Sequence, residues 1–140
     1  MDTIQKGVVT EIQCELDFIK LGYIVSKPIY PCRYDYLVDI GTKIIKIQCK
    51  TSHEVDNGAI MFCCRSSRGV KQGKTEHRNY TSDEIDYFYT SWEGKGYLIP
   101  VSECSSSKTL RFIQPKAGNH TKVSMATEYE IVKTLERSEK

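Results

Sequence analysis

The sequence predicts an α/β domain: a central mixed sheet of four or five strands, an N-terminal helix on one face, and a C-terminal helix beside it. Three observations carry this. Residues 4–21 place apolar side chains at helical spacing, residues 34–51 hold two alternating runs joined by Gly41-Thr42, and apolar, aromatic-rich runs recur at 85–92 and 97–100. With 140 residues, 39% hydrophobic and 27% charged, the chain has the length and core of one domain, expected to span 1–140, and is too apolar for wholesale disorder.

Ile4, Val8, Ile12, Leu16 and Ile19 predict a helix over residues 4–21 with this stripe turned to the core. Thr3 is placed to cap it and Gly22 to stop it. Glu11 lies three residues after Val8 and beside Ile12, at the border of the stripe. Residues 23–26 predict a short strand, closed off by Pro28 and Pro31. Residues 34–40 and 43–51 predict an antiparallel hairpin. In its second strand Ile45, Ile47 and Cys49 point one way and Ile44, Lys46, Gln48 and Lys50 the other.

Residues 59–65 predict a further strand. Residues 66–82 are poor in apolar groups and read as a loop of about seventeen residues, a length usual for functional or disordered segments. Residues 85–92, rich in aromatics, predict a strand of mixed core and surface character, turned by Gly94-Lys95-Gly96 into a strand at 97–100. Residues 110–113 fit another strand and 126–139 a helix, whose Tyr129, Val132 and Leu135 suit either the domain core or a subunit interface.

The cysteines Cys14, Cys32, Cys49, Cys63, Cys64 and Cys104 form no Cys-x-x-Cys pair, and His53, His77 and His120 stand in no zinc spacing to them. Cys14, Cys49 and Cys63 sit in apolar stretches and read as small hydrophobes. Reduced thiols, the lack of a signal-type apolar run and the lack of an apolar stretch of about twenty residues point to a cytoplasmic protein that binds no membrane. The net charge of +2 favours no class of partner.

One set of residues can do chemistry. Asp35 begins the hairpin, Gln48 and Lys50 share a face of its second strand, and Glu11 comes from the helix packed on that sheet. A metal-dependent phosphodiesterase needs this arrangement. Mg²⁺ accepts one or two carboxylates with other oxygens, and a nearby lysine can orient the attacking water and stabilise charge on phosphorus.

These residues resemble the PD-(D/E)XK nucleases, whose pattern is an acid on one strand, acid-x-Lys on the next and often a Glu on the first helix. Tyr34-Asp35 stands where Pro-Asp would, and Gln48-Cys49-Lys50 where (Asp/Glu)-x-Lys would. The sequence is most similar to the homing endonuclease branch associated with group I introns, which carries Gln at the second position. Lys6-Gly7 with Glu11, Leu21-Gly22-Tyr23, Pro28, Gln48-Cys49-Lys50-Thr51, Ile85-Asp86-Tyr87-Phe88, Tyr97-Leu98-Ile99-Pro100 and, more loosely, Ala126 to Tyr129 extend the likeness.

The resemblance implies a restriction-endonuclease-like core and Mg²⁺, with Mn²⁺ as a substitute. It makes Glu11, Asp35, Gln48 and Lys50 the catalytic set, with Asp35, the Cys49 backbone carbonyl, Glu11 and Gln48 around the metal and Lys50 as the catalytic cation. Gln48 offers one carbonyl oxygen where most relatives offer a carboxylate. Asp39 shares a strand face with Asp35 and is a further candidate.

Residues 65–78 hold Arg65, Arg68, Lys71, Lys74 and Arg78 against the single acid Glu76, and read as a DNA-contacting insertion. Residues 108–122 hold Lys108, Arg111, Lys116 and Lys122 with no acid, and suit DNA or a solvated face. The expected partner is double-stranded DNA. Cutting both strands takes two active sites, so a homodimer or homotetramer is expected. The alternatives are a Holliday-junction resolvase or a restriction or defence nuclease of the same fold, and, in another class, a DNA-binding module without catalysis.

Overall fold

Asp2, rather than Thr3, starts the first helix. The Asp2 carboxylate accepts from the Gln5 N–H (2.8 Å) and the Gln5 side chain accepts from the Asp2 N–H (2.9 Å), a reciprocal cap. The structure, a computed structural model, describes residues 1–56, 58–115 and 123–139, with residues 68–71 by their backbone. Along the chain run α1 (Thr3–Lys20), β1 (Ile24–Ser26), β2 (Tyr36–Asp39), β3 (Ile44–Cys49), β4 (His53–Glu54), β5 (Ala59–Cys63), β6 (Arg65–Val70), β7 (Lys74–Asn79), β8 (Tyr87–Trp92), β9 (Lys95–Pro100), β10 (Ser107–Arg111) and α2 (Ile131–Ser138).

The protein is α/β with a mixed five-stranded sheet in the order β1-β2-β3-β8-β9, in which only β3 and β8 run parallel. Parallel neighbours need a long crossover, and the segment between β3 and β8 supplies one. It carries β4 and β5, which join β10 in a second antiparallel sheet, and the separate β6–β7 hairpin.

The two helices cover one face of the main sheet, around Phe18, Tyr36, Ile47, Tyr89 and Leu135, while β5 and β10 pack near the other, around Phe62, Phe88, Ile99 and Leu110. Strand β8 is therefore buried on both faces, with Tyr87 and Tyr89 toward the helices and Phe88 toward β5. Its aromatics belong to the core, and only Trp92 is half-buried.

The helix faces differ from expectation. α1 buries Thr10, Cys14 and Phe18, whereas Ile4, Ile12, Leu16 and Ile19 are 79%, 58%, 43% and 58% exposed and Val8 is exposed too. At 100° per residue the apolar stripe lies roughly opposite the buried face. The sheet surface explains the choice. Tyr36 and Tyr89 are fully buried, and each hydroxyl needs an acceptor: Tyr36 donates to the Glu11 carbonyl (3.1 Å) and the Glu15 carboxylate (2.6 Å), and Tyr89 to the Asp17 carboxylate (2.5 Å). A helix docked through Ile12 and Leu16 would leave both hydroxyls unpaired. Gly96 completes the seat, because a Cβ there would meet the Asp17 carboxylate and stand 2.6 Å from the Tyr89 hydroxyl.

Four further expectations change. Residues 66–82 are largely a β-hairpin, β6 and β7, turned through Gln72 and Gly73 at φ of +69° and +71°. Every described side chain of β7 is exposed, so no apolar alternation marks it in the sequence. The β8–β9 turn is Glu93-Gly94, both at positive φ, and Lys95 and Gly96 already belong to β9. Residues 126–129 form a 3₁₀ turn before α2, in which Tyr129 and Leu135 enter the core and Val132 is exposed. All six cysteines are free; Cys14 and Cys49 are buried as expected, but Cys63 is exposed at the end of β5.

Candidate active site

Asp35 stands one residue before β2, where its N–H still donates to the Ile47 carbonyl (2.8 Å). The β2–β3 ladder ends at the Tyr36–Ile47 pair, and the Cys49 N–H beyond it donates instead to the Asp35 carboxylate (2.8 Å). Gln48 joins from the same strand. With its amide turned to suit its neighbours, its nitrogen donates to the Arg33 carbonyl (2.8 Å) and the Asp35 carboxylate (3.3 Å). The Cys49 side chain turns inward to the Cys14 thiol. Lys50, just past β3, is half-buried and donates through Nζ to the Arg65 carbonyl (3.1 Å), 5.3 Å from the centre of the Tyr80 ring.

Glu11 reaches this neighbourhood because Tyr36 holds its turn of α1 by the backbone carbonyl. Glu11 and Asp35 line one cleft of about 330 Å³, with Lys27, Tyr34 and residues 28–32. A larger hollow of about 620 Å³ along α2, between Glu128, Lys133 and Arg137, holds none of these groups. Burial, and next the charge of Asp35, push the Glu11 carboxyl above its usual range. Burial likewise raises Asp35, against the opposing pull of the Cys49 N–H and Lys50. Burial lowers Lys50 from the ordinary lysine value.

Two carboxyls facing one cleft, each disfavoured as an anion, form a donor set short of positive charge. Among the described residues no three His, Cys, Asp or Glu side chains gather. Two carboxylates with amide and backbone oxygens suit a hard divalent cation that keeps several waters. Asp39 stands apart from this cleft: its carboxylate accepts from the Gly41 N–H (2.8 Å) and shapes the turn.

Sequence reasoning missed Arg33 and Tyr80. The Arg33 guanidinium stacks 3.7 Å over the Tyr80 ring. It donates to the Glu84 carboxylate (2.9 Å), the Ser66 hydroxyl (2.6 Å) and the Asn79 carbonyl (2.8 Å). It thus ties the approach to β2 to both strands of the basic hairpin. Its partners lie 33 to 51 residues away, too far for any local spacing to announce them.

The expected DNA-contacting residues divide. Arg65 opens β6 with its Nε buried and unpaired, Lys74 is exposed, and Arg78 is exposed and paired with Glu84 (2.8 Å). The side chains of Arg68 and Lys71 lie outside the described residues, as do Lys116 and Lys122. Lys108 donates to the Glu103 carbonyl and Arg111 to the Ile113 carbonyl.

A family model of PD-(D/E)XK endonucleases matches residues 1–132. The chain belongs to the PD-(D/E)XK endonuclease family and is a nuclease with a restriction-endonuclease-like fold. Among solved structures it is similar to that of the bacterial homing endonuclease I-Ssp6803I, with a TM-score of 0.77 and 18% identity over 99% of this chain and 95% of that one. No curated protein matches it. Among the described residues no helix is long and apolar enough to cross a membrane.

Proposed function

We propose that the protein is a Mg²⁺-dependent endonuclease that hydrolyses phosphodiester bonds of double-stranded DNA at a preferred sequence, of the homing type, with Mn²⁺ able to substitute. What supports this reading is that Glu11 and Asp35 line one cleft, that the Gln48 amide reaches the Asp35 carboxylate, and that Lys50 follows on the same strand end, at the foot of a basic hairpin. Glu11, Asp35, the Gln48 amide oxygen and the Cys49 backbone carbonyl would hold the cation. When bound, the cation supplies Lewis acidity at the phosphodiester and a source of hydroxide near neutral pH.

The protein's own groups do the rest. Asp35, held by the Cys49 N–H and the Gln48 amide, presents its carboxylate in one orientation. Lys50, favoured by burial toward its neutral form, orients the attacking water and takes up its proton, and as an ammonium it stabilises negative charge on the phosphoryl oxygens. Arg65, Arg68, Lys71, Lys74 and Arg78 hold the DNA backbone on the hairpin. The whole chain 1–140 acts as one nuclease domain, and its unbridged thiols suit the cytoplasm.

Cleaving both strands requires a second copy. The stripe Ile4, Val8, Ile12, Leu16 and Ile19, left uncovered on α1, supports a homodimer or homotetramer.

The test is digestion of a genomic DNA library with Mg²⁺ or Mn²⁺, followed by mapping of the ends, for wild type and Lys50→Ala. Wild type is expected to leave recurrent ends. Lys50→Ala should lose cleavage by about a hundredfold or more while keeping DNA binding. Wild type that binds DNA and never nicks it would make the protein a binding module, and preference for four-way junctions of any sequence would make it a resolvase.

A further inference from the structure

We propose that the β6–β7 hairpin lies in the DNA major groove and reads base edges with one face only, the one bearing Ser67, Thr75 and His77, while the other face meets phosphates. This rests on the nuclease reading above. Cross-strand partners share a face, so the register places Arg65 with Asn79, Ser67 with His77 and Gly69 with Thr75 on one side. Positions 66 with 78, 68 with 76 and 70 with 74 lie on the other.

The two faces differ in chemistry. Beyond the foot of the hairpin, the paired positions of the first face hold Ser67, His77, Gly69 and Thr75, with no Lys, Arg, Asp or Glu among them. The Ser67 hydroxyl and His77 Nδ1 are hydrogen-bonded (3.1 Å), which orients the ring and leaves Nε2 as the outward polar atom. Thr75 adds a hydroxyl and a methyl, and Gly69 opposite it leaves room for close approach. Polar groups of defined direction suit hydrogen bonds to base edges, and the Thr75 methyl suits contact with a thymine methyl. The second face carries the exposed Lys74, Glu76 and Arg78, with Arg78 oriented by Glu84 (2.8 Å), and Lys74 is its cation for charge-based contact with phosphate.

Size and anchorage agree. Strands of six residues span about 20 Å and lie about 5 Å apart, and a two-stranded ribbon fits a major groove about 12 Å wide. The foot of the ribbon is fixed by Lys50 on the Arg65 carbonyl and by Arg33 on Ser66 and Asn79. The bases read therefore lie within a few base pairs of the phosphate that is cut.

The experiment uses a duplex library with randomised bases. Cut ends are sequenced after digestion with Mg²⁺, and bound duplexes are sequenced separately after selection in EDTA. For Ser67→Ala, Thr75→Val and His77→Ala, the expected result is loss of base preference at a few adjacent positions, by about tenfold to a hundredfold each. Lys74→Ala should weaken binding to all sequences alike and reduce the slope of log affinity against log salt by about one, with the preferred sequence unchanged.

The proposal is overturned if Lys74→Ala shifts the preferred sequence while the three face variants do not, or if wild type selects no sequence. Wild type that cuts nothing sinks the nuclease reading instead, and the duplexes selected in EDTA still decide this proposal.

Discussion

Glu11 carries part of the cost of assembling the proposed site. Burial and the neighbouring Asp35 raise its carboxyl, so its ionisation opposes folding above that raised value, and the penalty vanishes as pH falls below the ordinary carboxylate range. Glu11→Gln is therefore expected to raise the melting temperature of metal-free protein at pH 7 by about 2 °C and to flatten its dependence on pH between 4 and 7. The same substitution should remove the stabilisation that Mg²⁺ confers on wild type, read by thermal unfolding with and without EDTA. Equal melting of the two proteins under both conditions would take Glu11 out of the site. Asp35, Gln48 and Lys50 of the proposed site were legible because they fall on one hairpin, and Glu11, on the preceding helix, through the family pattern. Gln48 and Lys50 are two apart on one strand, and Asp35 lies across a two-residue turn. Arg33 was not, since its roles depend on Ser66, Asn79, Tyr80 and Glu84, which only the folded chain brings near.

Between elements, that arginine joins the hairpin to the sheet. Glu84 is part of the joint: partial burial pushes its carboxyl up, but the Thr81 N–H and Arg33 outweigh this and hold it below its usual value. The stabilisation Glu84 provides is thus present above the ordinary carboxylate range and is lost as pH falls through the depressed value. Arg33→Ala leaves the mostly buried Glu84 carboxylate with Thr81 and the exposed Arg78. It should destabilise the protein by about 2 kcal/mol in urea denaturation and speed amide exchange across residues 65–79. Unchanged exchange there would show that the hairpin holds its place without Arg33. The hairpin itself was read from the sequence as a loop because both of its sides are polar, and a strand buried on neither face has no alternation to display.

For the whole molecule, the uncovered side of α1 is the largest departure from expectation. A row of exposed isoleucine, valine and leucine on one helix costs solubility unless covered, and in the proposed oligomer a second copy would cover it with the same surface. Leu16→Glu, on the exposed side of α1, should leave the far-ultraviolet circular dichroism intact and shift sedimentation from a dimer or tetramer to a monomer. Double-strand breaks should give way to single-strand nicks. A wild-type monomer in sedimentation would refute the assignment of this face.

The amino-acid sequence by itself determined the first helix, the β2–β3 hairpin and the β8–β9 pair, the alternation of β3, and the family pattern carried by Asp35 and Gln48-Cys49-Lys50. Those features depend on periodicity and on separations of a few residues. Only the tertiary structure decided which side of α1 meets the sheet, what the basic segment becomes and what anchors it. Periodicity distinguishes two sides of a helix without saying which is inward. That choice falls to the buried hydroxyls of Tyr36 and Tyr89, whose acceptors on α1 lie 21 and 72 residues away in the chain.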